Sequence, residues 1–196
     1  MFSKKRVPFF IATIAILLFS ESVFAESFSL SFGVPIYASF DNSWNGAFGG
    51  GSVKASSVAG FMVHVKFPLM FGIGLESYKT QINSPSSQVN DLELSTLMYD
   101  VSISLPVPVV NVTVGAGIGS ASLSCQHASG SCSSLYEDGN IGSARQLWGQ
   151  VGFPILPAVD IHASLHRVST KIEGKSGVSN LNLNGNVIAV GASIGF

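Results

Sequence analysis

The chain has 196 residues, 10 Lys and Arg against 11 Asp and Glu, a formal net charge of −1, and only 11% charged residues beside 46% hydrophobic ones. Soluble domains typically carry ~25% charged residues, so this balance argues against an ordinary secreted globule. The bases Lys54, Lys66, Lys79, Arg145, Arg167, Lys171 and Lys175 are scattered rather than clustered, which leaves no nucleic-acid footprint.

The first element is a targeting segment. Lys4, Lys5 and Arg6 precede an apolar run from Val7 to Phe19, followed by the small-residue site Val23-Phe24-Ala25. The run is shorter than the ~20 residues a membrane helix needs, and the pattern predicts a secretory signal peptide over 1–25, cleaved after Ala25. No Cys follows the site, so a lipoprotein is not expected. The mature domain is then 26–196, with a net charge of −3 once Lys4, Lys5, Arg6 and Glu21 are removed. It holds no second apolar stretch of about 18 residues, which excludes a helical membrane protein. A closed sheet is the other way to cross a bilayer, because it satisfies every backbone group internally.

Segments of alternating polarity follow one another. Phe28, Leu30, Phe32, Val34, Ile36, Ala38 and Phe40 alternate with Ser27, Ser29, Ser31, Gly33, Pro35, Tyr37 and Ser39. Pro35 cannot donate to a ladder and predicts a bulge. The second segment, about 57–67, sets Ala59, Phe61, Val63, Val65 and Phe67 outward against Gly60, Met62, His64 and Lys66. The third begins at Phe71 with odd residues outward, and its register is open after Ser77. The fourth sets Leu97, Tyr99, Val101, Ile103 and Leu105 against Met98, Asp100, Ser102 and Ser104. The fifth sets Val110 to Ile118 against Asn111, Thr113, Gly115, Gly117 and Gly119. Leu147, Gly149, Val151 and Phe153 oppose Gln146, Trp148, Gln150 and Gly152 in the sixth. In the seventh, Val159, Ile161, Ala163 and Leu165 oppose Asp160, His162, Ser164 and His166. The eighth is VIAVGASIGF, with Ile188, Val190, Ala192, Ile194 and Phe196 outward.

Three connections are short and bear proline: Phe67 to Met70, Pro106 to Pro108, and Pro154 to Pro157. The others are long and polar: Asp41 to Gly51, Gln81 to Glu93, Ser124 to Ser143, and Lys171 to Asn184. Short and long connections alternate, as they do when hairpins turn on opposite faces of a membrane. The fold class is therefore all-β, an eight-stranded antiparallel up-and-down transmembrane β-barrel. A soluble lipocalin-type barrel would invert the pattern, with polar residues outward.

The mature chain resembles the small eight-stranded outer-membrane barrels of the OmpA/OmpX/OmpW type. The resemblance implies an outer-membrane location and an assembly signal at Val190, Ala192, Ile194 and Phe196 read by the barrel assembly machinery. Eight strands with three short turns and four long loops put both termini in the periplasm, and the chain is expected to depart from OmpA proper in having no peptidoglycan-binding domain after the barrel. It also implies outer-membrane lipid and lipopolysaccharide as surroundings, with a surface ligand reached through the loops, as in adhesin-like members. Trp44, Phe48 and Tyr136 are the aromatic residues available there.

Cys125 and Cys132 flank six residues of the longest loop. Export through an oxidising compartment predicts a disulfide, worth about 2.5 kcal/mol by chain entropy for so small a ring. His127 lies near, but two Cys and one His fall short of four zinc ligands. The interior is expected to hold a polar network of His64, Lys66, Glu76, Asp100, Gln150, Asp160, His162 and His166. Strand positions counted from the short turns place Lys66 and Asp160 low, and His64, Asp100, Gln150 and His162 in one middle layer. His162 and His166 stand about 13 Å apart along their strand and cannot chelate one ion. No metal or cofactor is expected.

Two functions fit this interior. One is a structural or surface-interaction barrel with a plugged lumen, because eight strands leave just enough room for side chains. The other is a narrow channel for ions or small solutes, in which inward glycines at 72, 74, 115, 117, 119 and 191 leave space beside the charges. Enzymes of the lipid A deacylase and palmitoyltransferase kind share the architecture, and Ile161-His162-Ala163-Ser164 contains H-x-S. Alternation turns both side chains toward the lumen, whereas the deacylase pair faces lipid and has Asn where this chain has Leu165, so no enzyme is expected.

Overall fold

A computed structural model describes residues 28–41, 54–83, 92–105, 107, 109–125, 141–173 and 180–196. Eight strands form the closed barrel: β1 (Ser29–Asp41), β2 (Lys54–Lys66), β3 (Phe71–Asn83), β4 (Leu92–Leu105), β5 (Asn111–Cys125), β6 (Ile141–Leu156), β7 (Val159–Ile172) and β8 (Leu181–Gly195). Every neighbouring pair is antiparallel, and β1 closes on β8 from Ser29↔Gly195 to Asp41↔Asn184. The predicted signal peptide, Trp44, Phe48, His127, Cys132 and Tyr136 lie outside the described residues.

The strands are staggered as well as paired. Starting at Ser31 and stepping across the ladders, the path runs through His64, Gly74, Asp100, Gly117, Gln146, Val168 and Gly185. It returns to β1 at Phe40 rather than Ser31. This offset is the barrel's shear: strands tilted to the axis must slip in register for the sheet to close.

The sequence alternation is borne out in β2 to β8, with one correction in β1. The bulge predicted at Pro35 is present as a register shift between Pro35 and Tyr37. Beyond it the faces exchange: Tyr37, expected inward, is exposed, and Ala38 and Phe40, expected outward, are buried. One extra residue in a strand of period two does this. Among the described residues the β1–β2 ladder covers only Ser29↔Lys66 to Gly33↔Met62, ending just before Pro35. In β3 the register left open after Ser77 continues unbroken, with Tyr78, Thr80 and Ile82 buried inside.

The Phe67 to Met70 turn forms where it is expected, while the Pro154 to Pro157 connection differs in detail. The Phe67 to Met70 turn is tight, closed by Phe67 N–H donating to the Phe71 carbonyl at 2.7 Å. Leu69 and Met70 take left-handed φ angles of 78° and 69°, the sign of φ that matches a hairpin turn to the twist of its strands. The third turn is shorter than the Pro154 to Pro157 reading, because β6 continues to Leu156 and Pro154 sits inside it at a register shift.

The largest departure is vertical. The end bearing the short turns and the termini follows the predicted pattern: Phe32, Ile73, Tyr99, Val101, Leu147, Phe153 and Leu165 form an exposed apolar belt around a polar lumen. Toward the loop end both faces change character without any change of register. In β4 the inward residues run Ser104, Ser102, Asp100, then Met98, Thr96, Leu94 and Leu92, all buried. The outward ones run Leu105, Ile103, Val101, Tyr99, Leu97, then Ser95 and Glu93. Tyr78, Ile82, Leu123, Val168, Leu183 and Val187 join Leu92, Leu94 and Met98 in a dry core inside this half. Lys79, Gln81, Arg145, Arg167 and Lys171 stand on its outer wall. Half the barrel is thus built for lipid and half, inverted, for water.

The boundary is testable with one substitution at two heights. Tyr99→Arg, in the belt, should cost about 2–4 kcal/mol of unfolding free energy in bilayers. Ser95→Arg, four residues higher on the same face, should change it by less than about 0.5 kcal/mol, as read by urea titration of the refolded protein.

Candidate functional site

The interior charges gather where the polar and dry halves meet. Glu76 on β3 and His166 on β7 are fully buried, Asp100 on β4 nearly so, and His64 on β2 completes the group. His64 Nε2 lies 3.2 Å from Glu76 Oε1 and 4.0 Å from Asp100 Oδ2, and His166 Nδ1 lies 3.3 Å from the same Glu76 oxygen. Alternation places all four inside. What brings them together is shear, since they come from four strands at unequal distances from the turns.

Their free atoms are held in place by neighbours that contact other atoms. Asp100 Oδ1 accepts from Gln146 Nε2 at 2.7 Å and Trp148 Nε1 at 3.2 Å. His166 Nε2 is 2.8 Å from Ser164 Oγ. The Trp148 indole contacts both imidazoles, stacked on His166 with centroids 5.6 Å apart and tilted against His64 at 4.8 Å.

Glycines make the room. A Cβ on Gly74 would stand 2.0 Å from the His64 ring, one on Gly117 2.0 Å from Asp100 Oδ1, and one on Gly115 2.4 Å from Trp148. Ser102 lies over Gly72 and His162 over Gly191, while a backbone carbonyl crowds Gly119. The inward glycines expected to leave open space are therefore covered by neighbouring groups.

The remaining predicted residues divide. His162 lies apart from the carboxylates, 3.4 Å from Ser31 Oγ and 3.2 Å from Ser193 Oγ. Asp160 accepts a hydrogen bond from Asn111. Lys66, Gln150 and Asp160 line a small cavity of about 50 Å³ at the turn end, whose wall also includes His64 and Trp148. Of the middle layer expected from His64, Asp100, Gln150 and His162, His64 lies 4.0 Å from Asp100 and borders the turn-end cavity with Gln150, while His162 bonds Ser31 and Ser193. Gln146, Trp148 and Ser164 were legible as inward residues, but nothing in their spacing marked them as partners of the charges. Of the predicted disulfide, Cys125 ends β5, and its partner falls outside the described residues.

Ser164, His166 and Glu76 stand in the order of nucleophile, base and acid, a different pairing from the H-x-S of His162 and Ser164. Ser164 is buried, and it does not border the turn-end cavity.

No protein-family model and no curated protein matches the chain. Solved structures do. Neisserial surface protein A superposes with a TM-score of 0.52 at 13% identity, over 87% of this chain and 97% of that one. The outer membrane protein AlkL, determined in DMPC lipid bilayers, gives 0.54 at 14% identity, over 86% and 89%. The fold is that of the small eight-stranded outer-membrane barrels. At these identities the likeness extends to architecture, and the interior cluster is read from this chain alone.

The packing over Gly117 predicts an asymmetry between two glycines. Gly117→Ala should destabilise the barrel by about 1–3 kcal/mol, because its methyl group displaces Asp100. Gly149→Ala, whose Cβ would meet nothing closer than 4.0 Å, should lie within about 0.5 kcal/mol of wild type. Equilibrium unfolding followed by tryptophan fluorescence measures both.

Proposed function

We propose that this protein is an outer-membrane barrel of structural or surface-interaction type, with a closed lumen, that holds its four long loops above the cell surface. The observation that carries this reading is the inversion of polarity along the strands. An exposed apolar belt with backbone groups paired around the barrel suits a bilayer. The strands, 13 to 16 residues long, exceed the 9–11 residues that a tilted strand needs to cross. The surplus carries polar residues outside and a dry core inside, as a wall standing in water would. In this orientation the short turns and both ends of the barrel face the periplasm.

The interior favours the plugged barrel over the narrow channel. Leu92, Leu94, Met98, Leu183 and Val187 fill the loop half, and side chains or backbone cover the glycines below it. Ser164 is buried and stands outside the wall of the turn-end cavity, which supports a non-enzymatic role. Refolded protein in planar bilayers should show no unitary conductance, at neutral pH or in mild acid. Reproducible channel events abolished by Asp100→Asn would replace this reading with the channel. An epitope inserted between residues 126 and 140 should be accessible to antibody on intact cells, and failure there would reverse the orientation.

The outer wall also supports lipopolysaccharide as a neighbour. Arg145 and Arg167 stand directly above the apolar Leu147 and Leu165, with Lys171 higher on β7. That is where anionic headgroup phosphates would lie, and each such base contributes about 1 kcal/mol at a charged lipid surface. Arg145→Gln with Lys171→Gln should weaken lipopolysaccharide binding several-fold, measured by titration into detergent-solubilised protein, with the effect shrinking at high salt.

A further inference from the structure

The buried cluster has a feature that neither a plug nor a scaffold requires. His64 Nε2, His166 Nδ1, Asp100 Oδ2 and both Glu76 carboxylate oxygens are buried without a hydrogen-bond partner. Buried polar atoms are ordinarily hydrogen-bonded, and two carboxylates held together in such a place are costly, even with imidazole nitrogens at ion-pair distances of 3.2 to 4.0 Å. Here the unpaired atoms converge: those of His64, Glu76 and Asp100 all lie within 4.8 Å of one another, and His166 Nδ1 is 3.3 Å from Glu76 Oε1.

We propose that His64, Glu76, Asp100 and His166 form a binding site for one divalent transition-metal ion, with zinc the expected occupant. Donors at ~2.0–2.1 Å from a tetrahedral zinc stand about 3.3 Å apart. The two His–Glu separations, 3.2 and 3.3 Å, match that spacing, and the 4.0 Å His64–Asp100 separation closes with a small side-chain movement. Two neutral imidazoles and two carboxylates carry a charge of −2, which a divalent ion neutralises. Mixed nitrogen and oxygen donors suit zinc better than calcium or magnesium, which take oxygen.

The surrounding groups behave as the outer shell of such a site. A histidine that ligates through Nδ1 carries its proton on Nε2, and in His166 that atom faces Ser164 Oγ at 2.8 Å. Gln146 and Trp148 hold Asp100 by Oδ1 and leave Oδ2 toward the cluster. Outer partners of this kind orient metal ligands and fix their tautomers. The turn-end cavity reaches His64 and Trp148 and supplies an approach, with Asp160 and Ser102 among its wall residues.

The test uses the full barrel, refolded, stripped with EDTA and dialysed, then titrated with zinc in a calorimeter and with cobalt in a spectrophotometer. One equivalent should bind, and cobalt should give the intense visible bands of a four-coordinate site. His64→Gln and His166→Gln should each weaken binding at least tenfold. His162→Gln, an inward histidine hydrogen-bonded to Ser31 and Ser193, and the Cys125→Ser, Cys132→Ser double variant should retain it. Asp100→Asn, closest in shape to wild type, is the second ligand test, and heat-modifiable migration on gels verifies that each variant is folded. No stoichiometric binding to wild type overturns the proposal. So does binding that survives His64→Gln and His166→Gln, or that disappears with His162→Gln or the cysteine pair.

Discussion

A sheet placed in lipid cannot leave its edges unpaired, because no water is present to satisfy the N–H and C=O groups of an edge strand. The pairing of β1 with β8, from Ser29↔Gly195 to Asp41↔Asn184, removes that edge, and the rest of the architecture follows from closing it. Closure of a twisted sheet demands tilt and shear. Shear sets which inward residues meet, so the same constraint that lets the barrel exist also assembles His64, Glu76, Asp100 and His166 from four strands.

The sidedness of the strands was legible because it is local. In Leu97 to Leu105 a period of two is written residue by residue, and the folded β4 keeps it. Pro35 announced its bulge for an equally local reason, the missing N–H. Its consequence for Tyr37, Ala38 and Phe40 was not legible, since Ala and Phe fit a lipid-facing row as readily as a dry interior. The loop halves of the strands were assigned to loops for a similar reason. Gln81, Glu93, Lys171 and Asn184 read as polar connections, when in fact they are strand residues whose polar faces point outward around Ile82, Leu92, Ile172 and Leu183.

The interior cluster illustrates the other kind of loss. That Glu76, Asp100 and the histidines point inward needs only parity. That Glu76 lies between His64 and His166, and that His162 bonds serines instead, depends on a register accumulated around the whole circuit. No single strand encodes it. The glycines show the same division: their inward position is plain, but Gly74 and Gly117 prove to be seats for an imidazole and a carboxylate, which only the opposing strand can reveal.

The reversal of polarity along each strand fixes more than which way a residue faces. In a uniform amphipathic sheet, slipping a strand by one residue is penalised because it turns every side chain over, but slipping it by two restores the faces and passes almost unnoticed. Here a two-residue slip of β4 would lower Ser95 toward the level of Leu97, at the lipid, and bring Met98 down to the carboxylate level of Asp100. The sequence therefore carries an address along the barrel axis as well as around it. Neighbouring strands can recognise the correct depth of each hairpin from that address, without help from the loops that join them.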